Sequence, residues 1–296
     1  MNNVEISNVG SVAIKLKAYY ELLKPRLSFL VAFSAAFGFL LGAEGTPDLF
    51  LLLMLSVGSF LVSGAAVTIN QVIERNLDTL MKRTSGRPIP TSKISHIEAT
   101  IYSVVVFAVG IIMVAYCTNM YAALLATSSL IIYAFVYTPL KRVGPVAVFV
   151  GAIPGALPPL IGWVAATGTL TYEAWIIFGI QFIWQFPHFW AIAWVSDEDY
   201  KKAGFKLLPS GGKKDLNTAI NIMVYTLFLL PLGLLPTYFG LTGLNSGIIA
   251  TCCGALFLAQ TFLLMKDNSH KSALRIMFGS FIYLPIVQIS YLFDKL

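Results

Sequence analysis

Charge is scarce in this chain. Asp, Glu, Lys and Arg make up 11% of its 296 residues, where a soluble globular domain carries roughly 25%. With 57% hydrophobic residues and a mean hydropathy of +0.77, that shortage excludes an ordinary water-facing surface and points to lipid as the solvent. Cysteine is nearly absent too. Cys117, Cys252 and Cys253 lie in or near apolar runs with no C-x-x-C pair, so they are expected to be small buried hydrophobes, outside any thiolate site. No nucleophile triad is present. Residues 1–20 lack the compact apolar core and small-residue cleavage site of a signal peptide, so the first hydrophobic segment is expected to stay as a membrane span. No change of composition divides the chain, and no strong internal repeat is visible. The expectation is a single integral membrane domain over residues 1–296, with 1–20 as its cytoplasmic N-terminal segment.

Apolar runs of the roughly 20 residues needed to cross a bilayer recur along the chain. They predict an all-α polytopic bundle of about nine spans, near 27–43, 49–69, 97–116, 119–138, 144–165, 173–195, 217–237, 244–264 and 272–292. With the N-terminus inside, every lysine and arginine except Lys295 falls in a cytoplasmic segment. The outer connections carry Glu44, Asp48 and Glu173. That asymmetry predicts a cytoplasmic N-terminus. The formal charge of +6 is spread over membrane loops, which disfavours nucleic acid as a partner and fits anionic lipid heads. Two inner loops, 70–96 and 196–216, are long and polar. They follow spans 2 and 6, as expected of two related four-helix halves plus a ninth helix, and should converge over a cavity at the cytoplasmic face.

The first loop opens with Asn70, Glu74 and Asp78. Their i, i+4, i+8 spacing stacks three oxygen-bearing side chains on one helical face. Carboxylates are disfavoured near a bilayer, so two on one stripe, followed by Lys82, Arg83 and Arg87, point to a metal–diphosphate site. The acids with Asn70 supply oxygens for Mg²⁺, the arginines offer forked donors to phosphate, and Lys82 adds a point charge. The competing explanation is a solvated juxtamembrane helix held by i,i+4 ion pairs, which the density of the array disfavours.

The second loop follows Gln185-Phe186-Pro187-His188-Phe189-Trp190 and contains Asp197, Glu198 and Asp199. A lone intramembrane histidine is most often a packing residue, yet imidazole is also the commonest protein ligand of haem iron. Both readings stand. The three acids, taken alone, would be solvated loop residues. Between Gly151 and Trp163 the glycines and prolines imply a kinked, thin-walled helix, serving either close packing or a bulky planar substrate. Tyr133 and Tyr137, one turn apart, are either interfacial anchors or aromatic walls for a cation.

Taken together, these strings resemble the UbiA-type membrane prenyltransferases, and within them the branch that farnesylates haem. The resemblance runs from about Tyr20 to the C-terminus. It rests on Tyr20-Glu21-Leu22-Leu23-Lys24-Pro25-Arg26, on the Asn70-to-Asp78 array with Lys82-Arg83-Thr84 and Arg87-Pro88, and on Tyr137-Thr138-Pro139-Leu140-Lys141-Arg142. Gly151-to-Trp163, Gln185-Phe186-Pro187-His188, Asp199-Tyr200, Ala203-Gly204 and Leu208-Pro209 complete it. His188 departs from the members acting on aromatic acids. It stands where their second motif begins with an aspartate, which puts a second metal site in doubt.

The resemblance implies transfer of a farnesyl group from farnesyl diphosphate to a vinyl group of haem B, with hydration, giving haem O. It implies Mg²⁺ on Asn70, Glu74 and Asp78, and substrate contacts from Lys82, Arg83, Arg87, Tyr137, Lys141, Arg142, His188, Asp199 and Lys202. It also implies a bacterial cytoplasmic membrane, and a downstream haem A synthase or oxidase-assembly partner. Rival expectations are a quinone-precursor or chlorophyllide prenyltransferase, and a haem transporter or chaperone without chemistry.

Overall fold

The computed structural model describes residues 13–296, so the expectation for residues 1–12 lies outside the described residues. Residues 13–22 are helical. Nine long apolar helices follow among the described residues, labelled here α1 (Pro25–Gly42), α2 (Leu49–Ile73), α3 (His96–Cys117), α4 (Met120–Leu140), α5 (Val146–Thr167), α6 (Tyr172–Val195), α7 (Leu216–Tyr238), α8 (Leu244–Asp267) and α9 (His270–Phe293). The protein is an all-α membrane bundle, as expected. Short polar residues set the helix starts. Asp48, Ser95, Asn119, Asp215 and Ser269 each cap the helix that follows by accepting from backbone N–H groups, which satisfies donors no helix can satisfy internally.

Each helix packs on the next, and α9 returns to α1, closing a ring that α1–α5 and α6–α9 contacts cross. Lys295 fastens the closure. Its ammonium donates to the carbonyls of Leu40 (3.1 Å) and Ala43 at the C-terminal end of α1, where a cation suits the helix dipole. The one cation that broke the charge asymmetry is therefore a helix-end clasp.

Glycine sets the central crossing. A Cβ on Gly38 would strike the Pro159 backbone, and one on Gly162 would strike the backbone of Ala35 and Phe39. Small residues thus let α1 and α5 touch main chain to main chain. Toward the loop end of α5 the same string has another use. Gly151 lies against the Tyr137 ring and Gly155 against the Gln185 amide. Close packing explains Gly162, while Gly151 and Gly155 make room for side chains at the site.

The expectation of buried cysteines is corrected. Cys252 is exposed and Cys117 and Cys253 are only partly buried. In a bilayer the outside is as apolar as the inside, so a small apolar residue gains little by facing inward. Large side chains on the outer surface follow the same logic, among them Phe50, Ile101, Leu124 and Phe149.

Candidate active site

The site begins where α2 ends. Asn70 and Gln71 are buried in its last turns, and Glu74 terminates the helix with φ −88° and ψ 5°. A single turn, Arg75–Asp78, follows. The amide of Asp78 still donates to the Glu74 carbonyl at 2.8 Å, so the i, i+4, i+8 relation survives a break that the spacing did not foretell. All three side chains are buried, Asp78 completely.

Each has a partner that leaves something open. Asn70 Nδ2 donates to Thr138 Oγ1 at 3.0 Å, which commits its amide nitrogen and orients its oxygen. Glu74 accepts from Lys141 Nζ through both oxygens, at 2.8 and 3.0 Å. Asp78 Oδ2 accepts from Arg87 at 2.6 Å, while Oδ1 is buried with no hydrogen-bond partner. Burial pushes the Asp78 carboxyl above its ordinary range, against the pull of Arg87. An orphaned, buried carboxylate oxygen is a strong acceptor awaiting a cation.

Lys141 arrives from the end of α4. Its ammonium lies 4.9 Å from the Tyr137 ring centroid and 5.5 Å from that of Phe205. Before it, residues Ile132–Tyr137 form a π-helical turn. Pro139 has no N–H to return to the preceding turn, and there the helix widens. Thr138, at its end, donates from Oγ1 to the Tyr133 carbonyl at 2.9 Å while accepting from Asn70. Tyr133 and Tyr137 lie 5.4 Å apart between ring centroids, and Phe189 of α6 is 6.3 Å from Tyr137. An aromatic wall therefore rises beside the carboxylates.

Lys24 is the residue that sequence reasoning did not place in the site. It caps α1 in the left-handed region, at φ 44°, a conformation disfavoured for a side chain with a Cβ. Burial, then the charges of Arg87 and Lys141, lower its pKa to about 7, against the opposing pull of Asp78 and Glu74. It therefore shares one electrostatic neighbourhood with all four. The signal for it was its place directly before Pro25, which fixes the α1 start.

The two long loops do converge. Asp199 accepts from the Arg83 backbone N–H at 3.1 Å and pairs with Lys202 at 3.2 Å. The Arg83 backbone N–H and then the Lys202 side chain hold its carboxyl below the usual range. Arg83 also donates to the Tyr200 hydroxyl at 3.2 Å, and the Lys206 backbone N–H donates to the Lys141 carbonyl at 3.2 Å. Asp197 pairs with Lys201 at 2.8 Å and Lys214 at 3.4 Å. Asp199 thus clamps loop to loop, while Asp197 ties the second loop to itself. Lys82 and Arg142 are exposed, with no salt bridge among the described residues.

His188 stands apart from the charged cluster. Its Nδ1 meets Ser280 Oγ of α9 at 2.8 Å, and its ring stacks on Trp184 at 4.4 Å and meets Phe281 edge-on at 5.1 Å. Its neighbour Phe189 is the residue that reaches Tyr137. Among the described residues no three His, Cys, Asp or Glu side chains converge as a metal cage. The donor set suits an ion that relies on one or two carboxylates and completes its shell with substrate phosphate and water, as Mg²⁺ does.

The pattern of the UbiA prenyltransferase family matches residues 31–284, a stretch that includes the orphaned Asp78, Lys141 and His188. The chain belongs to the UbiA prenyltransferase family. Across 96% of its length it is 50% identical to the whole of a Cytophaga hutchinsonii protein named protoheme IX farnesyltransferase. Across its full length it is 42% identical to 98% of a Christiangramia forsetii protein of the same name. Among solved structures, a digeranylgeranylglyceryl phosphate synthase shares the fold with a TM-score of 0.78 at 21% identity, over 95% of this chain and 98% of that one. A UbiA homologue from Archaeoglobus fulgidus, bound to GPP and Mg²⁺, gives a TM-score of 0.65 at 19% identity, over 93% and 99%. This UbiA family member thus shares its fold with distant relatives and sequence over nearly its full length with more similar ones.

Proposed function

We propose that this UbiA prenyltransferase transfers the farnesyl group of farnesyl diphosphate to a vinyl group of haem B, with addition of water, giving haem O and diphosphate. Near full-length identity to proteins named protoheme IX farnesyltransferase supports the acceptor and donor. The observation that carries the chemistry is the bare, buried Oδ1 of Asp78 in the field of Arg87 and Lys24.

Asp78 and the Asn70 amide oxygen would hold Mg²⁺, which when bound would supply Lewis-acid neutralisation of the leaving diphosphate. Arg87, Lys141, Lys24 and Arg83 bind the phosphate oxygens. Arg87 is already aimed by Asp78, the Arg83 guanidinium by the Tyr200 hydroxyl, and Lys141 by Glu74. A bound diphosphate would give Lys141 a second acceptor, and Glu74 is the third residue that would hold the ion. Lys82, Lys202 and Arg142 add positive potential at the loops.

Neutralising the diphosphate lets the allylic carbon–oxygen bond break. Tyr133, Tyr137 and Phe189 line the path of the resulting cation and shield it with their ring faces. The vinyl carbon of the haem forms the new carbon–carbon bond. Water then adds at the adjacent carbon and gives up a proton, so the sum is farnesyl diphosphate, haem B and water in, haem O and diphosphate out. His188, backed by Trp184 and Ser280, faces the porphyrin. We place the site at the cytoplasmic face of a bacterial inner membrane, in one membrane domain with its N-terminus inside, and we expect a haem-handling enzyme or an oxidase-assembly factor to take the product.

Purified protein incubated with haem B, farnesyl diphosphate and Mg²⁺ should yield a haem whose mass rises by one farnesyl group plus one hydroxyl group. Farnesylation of a quinone precursor with haem left unchanged, or haem transport with no covalent product, would overturn this reading.

A further inference from the structure

A second site lies on the outside of the bundle. Between α8 and α9, at the same end as the carboxylates, is an open groove of about 460 Å³, within the size range of ligand pockets. Lys271, Arg275, Phe278, Gly279 and Ile282 line its α9 side. Their spacing puts them on one helical stripe, two cations at the top and apolar surface below. Gly279 lets the Gln260 amide of α8 lie against α9 in the groove, since a Cβ there would collide with it.

Two features show that the groove is unsatisfied. Lys271 and Arg275 are exposed and make no salt bridge among the described residues. The nearby acid, Asp267, already accepts from Ser269 and Ser272. The second feature is Gln260, whose Oε1 is buried without a hydrogen-bond partner. Gln260 lies seven residues before the end of α8, about 10 Å deep at ~1.5 Å per residue. That is near the boundary of headgroups and hydrocarbon. The Gln260 amide nitrogen can donate to an ester carbonyl. The opposite end of the α8–α9 seam offers a contrast. Its groove of about 440 Å³ carries no cation, and Asp294 there is already bonded to the Ser246 backbone N–H at 2.7 Å.

We propose that the cation-topped groove binds one anionic glycerophospholipid of the leaflet on the active-site side. Lys271 and Arg275 take its phosphate, Gln260 its ester region, and Phe278, Gly279 and Ile282 its first acyl chain. The site is separate from the prenyl-transfer machinery, although α9 links them: Gly279 faces the groove, and its neighbour Ser280 holds His188.

The test is native mass spectrometry of the whole protein after exchange into equal amounts of phosphatidylglycerol and phosphatidylcholine. Wild type should retain one phosphatidylglycerol in preference to phosphatidylcholine. Lys271→Gln/Arg275→Gln should lower that occupancy by about tenfold or more, from the loss of two surface cations. Gly279→Leu, which fills the groove without changing charge, should do the same. If Gly279→Leu is not monodisperse, the double charge variant decides. Equal retention by that variant, equal retention of phosphatidylcholine by wild type, or no retained lipid would overturn the proposal.

Discussion

At the scale of single residues, the site is a set of charges held by partners that the substrate can replace. Lys24 shows this most sharply. Its pKa near 7, set by burial and by neighbouring cations, means that it is charged below that pH and neutral above it. A bound diphosphate favours the charged form and raises the pKa, so binding takes up a proton across the window between the free and bound values. Farnesyl diphosphate affinity measured without Mg²⁺ should therefore weaken above pH 7, by up to about tenfold per pH unit. Lys24→Arg, charged throughout, should remove the dependence. A flat wild-type profile from pH 6 to 9 would contradict this. On the proposed function, His188 serves the haem side. His188→Ala should weaken haem binding and change its absorption spectrum, with farnesyl diphosphate binding unchanged. Loss of Mg²⁺-dependent diphosphate binding alone would move His188 to the metal side.

At the scale of elements, three irregularities position the chemistry. α2 breaks at Glu74, α4 widens into a π-turn before Pro139, and α5 crosses α1 at glycine. The last is the most exposed to test. Gly162→Leu drives a side chain into the backbone of Ala35 and Phe39, and overpacking costs about 1–3 kcal/mol, sometimes more. Its thermal midpoint in detergent should fall well below wild type. Gly179→Ala is the control, since a Cβ there meets nothing within 4 Å. Equal midpoints for the two variants would show that the α1–α5 crossing can relax.

For the whole molecule, the bundle brings two loops more than a hundred residues apart together and ties them through Asp199, Tyr200 and Arg83. The nine spans were legible because lipid demands long apolar runs. The Asn70, Glu74 and Asp78 array was legible because carboxylates rarely stand there without a function. What could not be read depends on contacts distant in sequence. Lys141 reaches Glu74 across 67 positions, and Gly38 and Gly162 read as two separate small residues until α1 meets α5. Glu74 gave no local sign of the helix break, and the place of Lys24 before Pro25 marked a helix start without revealing the shared charge field.

The central claim is that the buried oxygen of Asp78 holds the metal that activates the diphosphate, and Mg²⁺-dependent binding of farnesyl diphosphate to Asp78→Asn tests it most directly. Asparagine keeps the volume, loses the charge and releases Arg87, so metal-free binding should persist. In wild type, adding Mg²⁺ should tighten binding at least about tenfold, the scale of one charge-assisted contact, and in Asp78→Asn that gain should vanish. The same Mg²⁺-dependent gain in both proteins would contradict the account.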